Sequence, residues 1–279
     1  MELERKDGQR RHFRYDWQDV ANHNPDYLAY VENERKRLGE NHPLFLTQYR
    51  PLPIHSGGGF LDPQQRTQLG GVHPRQRQPQ PGMVYVAGID LAGEAEEDER
   101  RAANPRHAST VVTIGELDLS TTSEVMSQPL VRVTEHYWWT GKKHSELYPR
   151  LVDILKNVWH CRRVVVDATG IGQPISSFLR KALGSRVTPF TFTPQSKSQL
   201  GFKLLAAINS GRLKMYAADG SAEYQEFWLE LERARSHYRP NQKMNFFVEP
   251  ARGHDDFLMS LALLVEAANQ YSPRSARGS

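Results

Sequence analysis

Three aspartates stand where an unpaired carboxylate would be costly. Asp90 closes the apolar run Val84-Tyr85-Val86-Ala87-Gly88-Ile89, and Asp167 closes Val164-Val165-Val166. Asp255 follows Gly253-His254 and, with Asp256, opens a strongly apolar helical stretch. Burying a carboxylate at the end of an apolar strand is expensive unless something compensates it. Each has an ordinary explanation when taken singly: a capped turn at Asp90, a helix-entry turn after Asp167, an N-cap at Asp255. Jointly, two strand-end carboxylates and one at the head of a closing helix can converge at one edge of a sheet. Adjacent aspartates at 255 and 256 repel each other, and a cation relieves that repulsion. With only one cysteine in the chain, Cys161, and no histidines spaced i and i+4, the donors are hard oxygens. Such donors suit Mg²⁺ or Mn²⁺ rather than zinc. Carboxylates of this kind hold two ions about 3.5–4 Å apart, an arrangement used for phosphodiester hydrolysis. A dinucleotide loop is the rival reading of Asp167-Ala168-Thr169-Gly170-Ile171-Gly172, but Pro174 and Ile175 break the G-x-G-x-x-G pattern.

The elements that would position these residues are readable from hydrophobic periodicity. Val84–Leu91, Ser109–Glu116 and Val131–Trp139 read as strands joined by loops without helical pattern, hence as antiparallel hairpins. A helix over Ser145–Trp159 has Leu147, Leu151, Ile154, Leu155 and Val158 on one face. The spacing then predicts a strand at Val164–Asp167, a helix at Pro174–Leu183 and a strand at Arg186–Phe192. Helices over Lys197–Ser210 and Ala222–Ser236, a strand at Asn245–Glu249 and a last helix at Asp255–Asn269 complete the pattern. Three antiparallel strands followed by strand–helix–strand units make an α/β mixed sheet flanked by helices.

Four regions are expected along the chain. Residues 1–50 are polar and aromatic, mostly irregular, with one helix at Pro25–Leu38. Residues 51–82, rich in Pro, Gly and Gln, read as a linker or surface-hugging loop. Residues 83–271 form the main domain, and 272–279 a disordered basic tail. The net charge of +4 is too small to establish nucleic-acid binding by itself. Its distribution is more telling: Lys197, Lys203 and Arg212 flank or lie on a helix near the expected site and are candidate contacts to DNA phosphates. Cys161, beside Val164–Val166, reads as a buried structural thiol. Glu94–Glu99 reads as a solvated acidic turn. No apolar run approaches the roughly 18–20 residues needed to span a bilayer. The charged N-terminus lacks the apolar core of a signal peptide, which places the protein in the cytoplasm.

Four segments together resemble the nuclease domain of the large terminase subunit of tailed bacteriophages: Gly88–Gly93, Val164–Pro174, Phe192–Lys214 and Gly253–Leu263. They occur in the order and approximate separation of that family and cover about Met83–Gln270. The stretch His42–Gln65 is similar to the segment joining motor and nuclease in those proteins, and residues 1–50 resemble only the end of the motor. The resemblance implies a ribonuclease H-like fold, two Mg²⁺ or Mn²⁺ ions, and cleavage of concatemeric viral double-stranded DNA in the bacterial host. By motif position it implies metal ligation by Asp90, Asp167 and Asp255, with Asp256 a fourth ligand or outer-shell base and His254 orienting its neighbours. It implies an ATPase motor, a small terminase subunit and a portal as partners. The chain has no G-x-x-x-x-G-K-[ST] loop: Gly141-Lys142-Lys143 lacks the preceding glycine and the following Ser/Thr. A fragment, a split gene product or a prophage remnant is therefore expected. Other ribonuclease H-like phosphotransferases, such as a junction resolvase or transposase, and a catalytically silent DNA-binding remnant are the alternatives.

Overall fold

The computed structural model describes residues 16–38, 45, 49, 58–92, 109–122, 128–170, 172–239 and 243–272. The chain divides into two units, Met1–His55 and Ser56–Ser279. In the first, helix α1 (Trp17–Ala21) starts at a capping box in which Asp16 accepts from the Asp19 backbone and Asp19 answers. Helix α2 (Pro25–Leu38) has the expected bounds, set by the proline at its first position. Trp17 packs edge-on against Phe45 and donates its backbone N–H to the Tyr49 carbonyl.

In the second unit a six-stranded sheet runs in the order β5-β4-β1-β2-β3-β6. Its strands are β1 (Val84–Asp90), β2 (Ser109–Asp118), β3 (Leu130–Thr140), β4 (Arg163–Asp167), β5 (Val187–Phe190) and β6 (Leu213–Lys214). β1–β2 and β2–β3 pair antiparallel, whereas β1–β4, β4–β5 and β3–β6 pair parallel. Both faces are covered, so the strands read as near-continuous apolar runs and pleat alternation decides which side chain meets which layer. Val86, Val111 and Val165 join one core; Tyr85, Ala87, Ile89, Val112, Val164 and Val166 join the other.

The second core is closed by α4 (His144–Val152), which continues as a π-helical turn Asp153–Val158, and by α5 (Gly172–Leu183). Helix α3 (Pro63–Leu69), α6 (Pro194–Asn209), α7 (Ala222–Arg233), the ribbon β7–β8 (Arg235–Tyr238, Met244–Phe247) and α8 (Asp256–Asn269) close the first core. α8 is buried from Asp256 to Ala268, which is why its sequence is apolar all round.

Gly88 governs how α8 meets the sheet. A Cβ there would lie 2.1 Å from the Ser260 carbonyl oxygen and 2.2 Å from the Leu264 nitrogen. The helix backbone therefore rests directly on β1, bringing the start of α8 to the end of β1.

Two local expectations differ from the structure, and one strand was not expected at all. The Pro/Gly-rich stretch expected as a linker is packed from residue 58 onwards: Phe60, Leu61 and Leu69 are buried, and Asp62 caps α3. Arg75 anchors the same stretch by pairing with Glu135, Asp219 and Glu223. The helix expected to reach Ser236 stops at Arg233, because Arg235–Tyr238 pairs with β8. β6 is too short for any periodicity to announce it. The acidic turn Glu94–Glu99 and the tail arginines Arg274 and Arg277 lie outside the described residues. Among the described residues no helix is long and apolar enough to cross a membrane.

Candidate metal centre

Asp90 and Asp167 end neighbouring parallel strands. The β1–β4 register pairs Ile89 with Val166, so the two aspartates are the next residues along that register. Asp255 occupies the N-cap position of α8 and Asp256 its first turn. The three elements thus deliver four carboxylates to one end of the sheet, with Gly88 permitting the close approach of the third element.

Their electrostatics follow from this grouping. Burial holds the Asp90 carboxyl well above its ordinary range, and repulsion from Asp256, Asp167 and Asp255 adds to this, in that order. Lys197, at the N-terminal turn of α6, opposes the shift. Among the described residues the Asp90 carboxylate accepts no hydrogen bond and forms no ion pair, an unusual state for a half-buried acid. Asp167 is likewise raised by burial, offset by hydrogen bonds from Thr169, whose backbone N–H lies 2.8 Å from its Oδ1. Asp255 is raised by burial and lowered by Lys197 and by the Val248 backbone N–H. It makes no side-chain capping bond to its own helix.

The capping duty falls elsewhere. Glu230 of α7, buried among apolar neighbours, accepts the backbone N–H groups of Phe257 at 2.8 Å and Leu258 at 3.1 Å. A carboxylate there satisfies orphan donors and meets the positive end of the α8 dipole. Asp255 is thereby released from the helix it begins. Asp256 is also committed: its Oδ2 accepts the Ser109 backbone N–H at 2.7 Å, fixing the start of β2 beside the site. Burial raises its pKa to about 7 despite that bond. This geometry gives Asp256 a structural bond that the expectation of a fourth ligand did not contain.

The three basic residues expected at the site separate. Lys197 is brought to it: burial lowers its pKa while Asp255 and Asp90 favour its charge. Its Nζ also lies 5.4 Å from the centre of the Phe246 ring. Lys203, almost two helical turns on, is turned away to an ion pair with Glu266 of α8 at 2.6 Å. Arg212 is buried between α6 and β6, its Nε donating to Ser210 at 2.9 Å, at the opposite border of the sheet from β4. Cys161 is buried and its thiol is pushed up to about 12, in keeping with a structural role. Sequence reasoning missed Glu230, although its position three residues after Phe227 and one before Leu231 put a charge on the apolar stripe of α7.

As placed, no three His, Cys, Asp or Glu side chains among the described residues are close enough to ligate a single ion. The donor chemistry nevertheless fits a divalent cation: oxygen donors only, mutual repulsion at Asp90, and one half-buried lysine as the opposing charge.

No protein-family profile and no curated protein sequence matches the chain. Solved structures do. The large terminase nuclease of thermophilic phage G20c with bound magnesium is similar at a TM-score of 0.55 and 21% identity, over 79% of this chain and 100% of that one. The large terminase nuclease domain of Thermus phage P74-26 gives 0.53 and 19%, over 78% and 98%. The large terminase of bacteriophage HK97 gives 0.50 and 11%, over 88% of this chain and 50% of that one. At these identities the likeness establishes the fold: the second unit has the ribonuclease H-like architecture of phage large-terminase nuclease domains, as the four sequence segments implied.

Proposed function

We propose that the chain is a metal-dependent DNA endonuclease of the phage terminase type. It would cut concatemeric viral double-stranded DNA during genome packaging. The observation that carries this reading is Asp90, a half-buried carboxylate with no donor among the described residues and three further carboxylates close by. Asp90, Asp167 and Asp255 would hold Mg²⁺ or Mn²⁺, two ions in the full site. Bound there, such ions lower the pKa of water and stabilise the leaving oxygen of a phosphodiester. The bound magnesium of the G20c nuclease and the cobalt of a second G20c structure support a divalent ion in this fold.

The protein's own residues supply position and charge. β1 and β4 hold Asp90 and Asp167 side by side. Glu230 fixes the first turn of α8 so that Asp255 faces the same end of the sheet. Lys197 neutralises part of the carboxylate charge and is the cation best placed to meet a substrate phosphate. Asp256 ties Ser109, where the chain re-enters the sheet, to the head of α8. In this reading residues 1–50 are the end of a packaging motor. The partners are that ATPase motor, a small terminase subunit and a portal, in the cytoplasm of the bacterial host.

The test is plasmid cleavage by the 279-residue chain with Mg²⁺, with Mn²⁺ and with EDTA, beside Asp167→Ala. Cutting that requires metal and vanishes in a folded Asp167→Ala is expected. Full activity in that variant, or neither cutting nor Mn²⁺ binding by calorimetry in the wild type, overturns the proposal.

A further inference from the structure

At the opposite end of the same two strands lies a second charged feature, of the other sign. A cleft of about 510 Å³ is lined by Val84, Arg162, Arg163, Ser185, Arg186 and Tyr271. Arg163 opens β4, Val84 opens β1, and Arg186 immediately precedes β5. Arg163 donates one terminal N–H to the Ser185 carbonyl at 2.7 Å, while its buried Nε has no hydrogen-bond partner among the described residues. Among the described residues none of the three guanidiniums pairs with a carboxylate. This contrasts with Arg75 and Arg132, each of which is held by two or more acids. Three uncompensated guanidiniums around one concavity repel each other, and a tetrahedral oxyanion with several acceptor oxygens is the chemistry that relieves them.

We infer that this cleft is a second DNA-backbone site, gripping phosphates away from the cut; the inference rests on DNA being the substrate. Geometry favours a nucleic acid over an acidic protein segment. β4 rises about 13 Å over the four steps from Arg163 to Asp167, which matches about four base-pair rises, at about 3.4 Å each, along the axis of a duplex lying parallel to the strand. A backbone gripped at the cleft and followed for that length ends at the carboxylates. Between them lies β5, the last strand of the sheet, whose Pro189 is exposed and has no N–H to offer a further strand. The far end of that border is marked by Lys197, so basic groups bracket the path at both ends. The cleft thus sets where along the duplex the carboxylates act, without reading sequence.

The experiment measures binding of a labelled linear duplex, two helical turns long, to the full chain in Ca²⁺ across a salt series. Wild type is compared with Arg162→Gln/Arg186→Gln, both exposed and remote from the carboxylates, and with the charge-matched Arg150→Gln/Lys156→Gln on α4 and its π-helical turn. The cleft variant is expected to bind more weakly, with a plot of log affinity against log salt flatter by about 1.8, that is about 0.9 for each lost phosphate contact. Its deficit relative to wild type shrinks roughly tenfold between about 50 and about 200 mM salt. An unchanged affinity and slope, or an equal change in the α4 control, overturns the cleft. Cleavage in Mn²⁺ is measured in parallel. A wild type that cuts while binding ignores the two arginines removes the cleft alone. A wild type that never cuts but loses binding in the cleft variant removes the nuclease reading and keeps the cleft.

Discussion

Around Arg75, on the β3 side of the domain, Glu135, Asp219 and Glu223 meet one buried guanidinium, which also donates to the His136 carbonyl and lies over the Tyr216 ring. At the ends of β1 and β4 another set of acids is gathered, and there Asp90 has neither hydrogen bond nor ion pair among the described residues. The two regions bury the same chemical groups in the same domain. In one, the protein satisfies its carboxylates itself and uses them to fasten residues 70–77 to the sheet. In the other, it gives Asp167, Asp255 and Asp256 a backbone hydrogen bond each and leaves Asp90 without one among the described residues. A fully satisfied cluster is architecture; one that leaves Asp90 without a partner among the described residues, beside a helix start held by Gly88 and Glu230, is a candidate site.

Neutralising one member of each cluster breaks the comparison most directly. Asp90→Asn is expected to lower metal-dependent cleavage at least about 10³-fold, roughly 4 kcal/mol of transition-state stabilisation. The melting temperature should stay the same or rise, because the amide removes repulsion from Asp256, Asp167 and Asp255. A clear loss of stability would mean that the Asp90 charge is compensated after all. Arg75→Gln should do the reverse. Glu135 would be left buried without its guanidinium, and breaking a buried pair costs about 3–5 kcal/mol. Below the melting transition Mn²⁺ affinity should not change. Denaturant melts and calorimetry read both quantities, and a fall in Mn²⁺ affinity in folded Arg75→Gln would show that the two clusters are coupled.

Much of this contrast was legible in the sequence, and the reason is local. The strands ending in Asp90 and Asp167 are apolar runs, and the helix after Asp255 is a long apolar segment. Three aspartates therefore announced themselves by where the runs stopped. Gly88 is visible within the strand, but nothing local to it shows that it admits the backbone of α8. What escaped depends on partners distant in sequence. Arg75 lies 60 residues from Glu135, in a stretch whose prolines and glycines suggest a linker, and nothing local reveals that Phe60 and Leu69 reach the core. Lys203 and Lys197 are indistinguishable as lysines on one helix. Only the packing of α6 against α8 sends one to Glu266 and the other to the carboxylates.

Glu230 sharpens the comparison, since it is a satisfied carboxylate that holds the helix start beside the unpartnered Asp90. Glu230→Ala removes the acceptor for two backbone N–H groups at the start of α8 and should cost about 1–2 kcal/mol of stability. It should also weaken Mn²⁺ binding severalfold, because Asp255 sits at the end that loosens. Glu230→Gln keeps an acceptor oxygen and should restore both properties. If the alanine variant melts earlier yet titrates Mn²⁺ like the wild type, Glu230 is a cap and does not position the site.

The smallest expected effect lies within the satisfied cluster and appears as a pH dependence. His136 is buried beside Arg75, its Nδ1 3.1 Å from the Tyr216 hydroxyl and its Nε2 without a partner among the described residues. Burial and, secondarily, Arg75 lower its pKa from 6.5 to about 3, with Asp219 weakly opposing. The folded protein therefore keeps His136 neutral where the unfolded chain binds a proton. Its contribution to stability is complete above about pH 6.5 and falls as the pH drops, by up to about 1.4 kcal/mol per unit, until about pH 3. Asp256, raised to about 7, has the opposite sign and gains stability in acid, so the raw pH profile mixes the two. The difference between wild type and His136→Gln isolates the histidine, because the glutamine retains a group that can bond to Tyr216 and does not titrate. Between pH 6 and pH 5 the wild type should lose about 1 kcal/mol more than the variant. Equal losses would place a proton on the folded His136, and the Arg75 cluster would then lack the tight electrostatic closure that separates it from the carboxylates of the site.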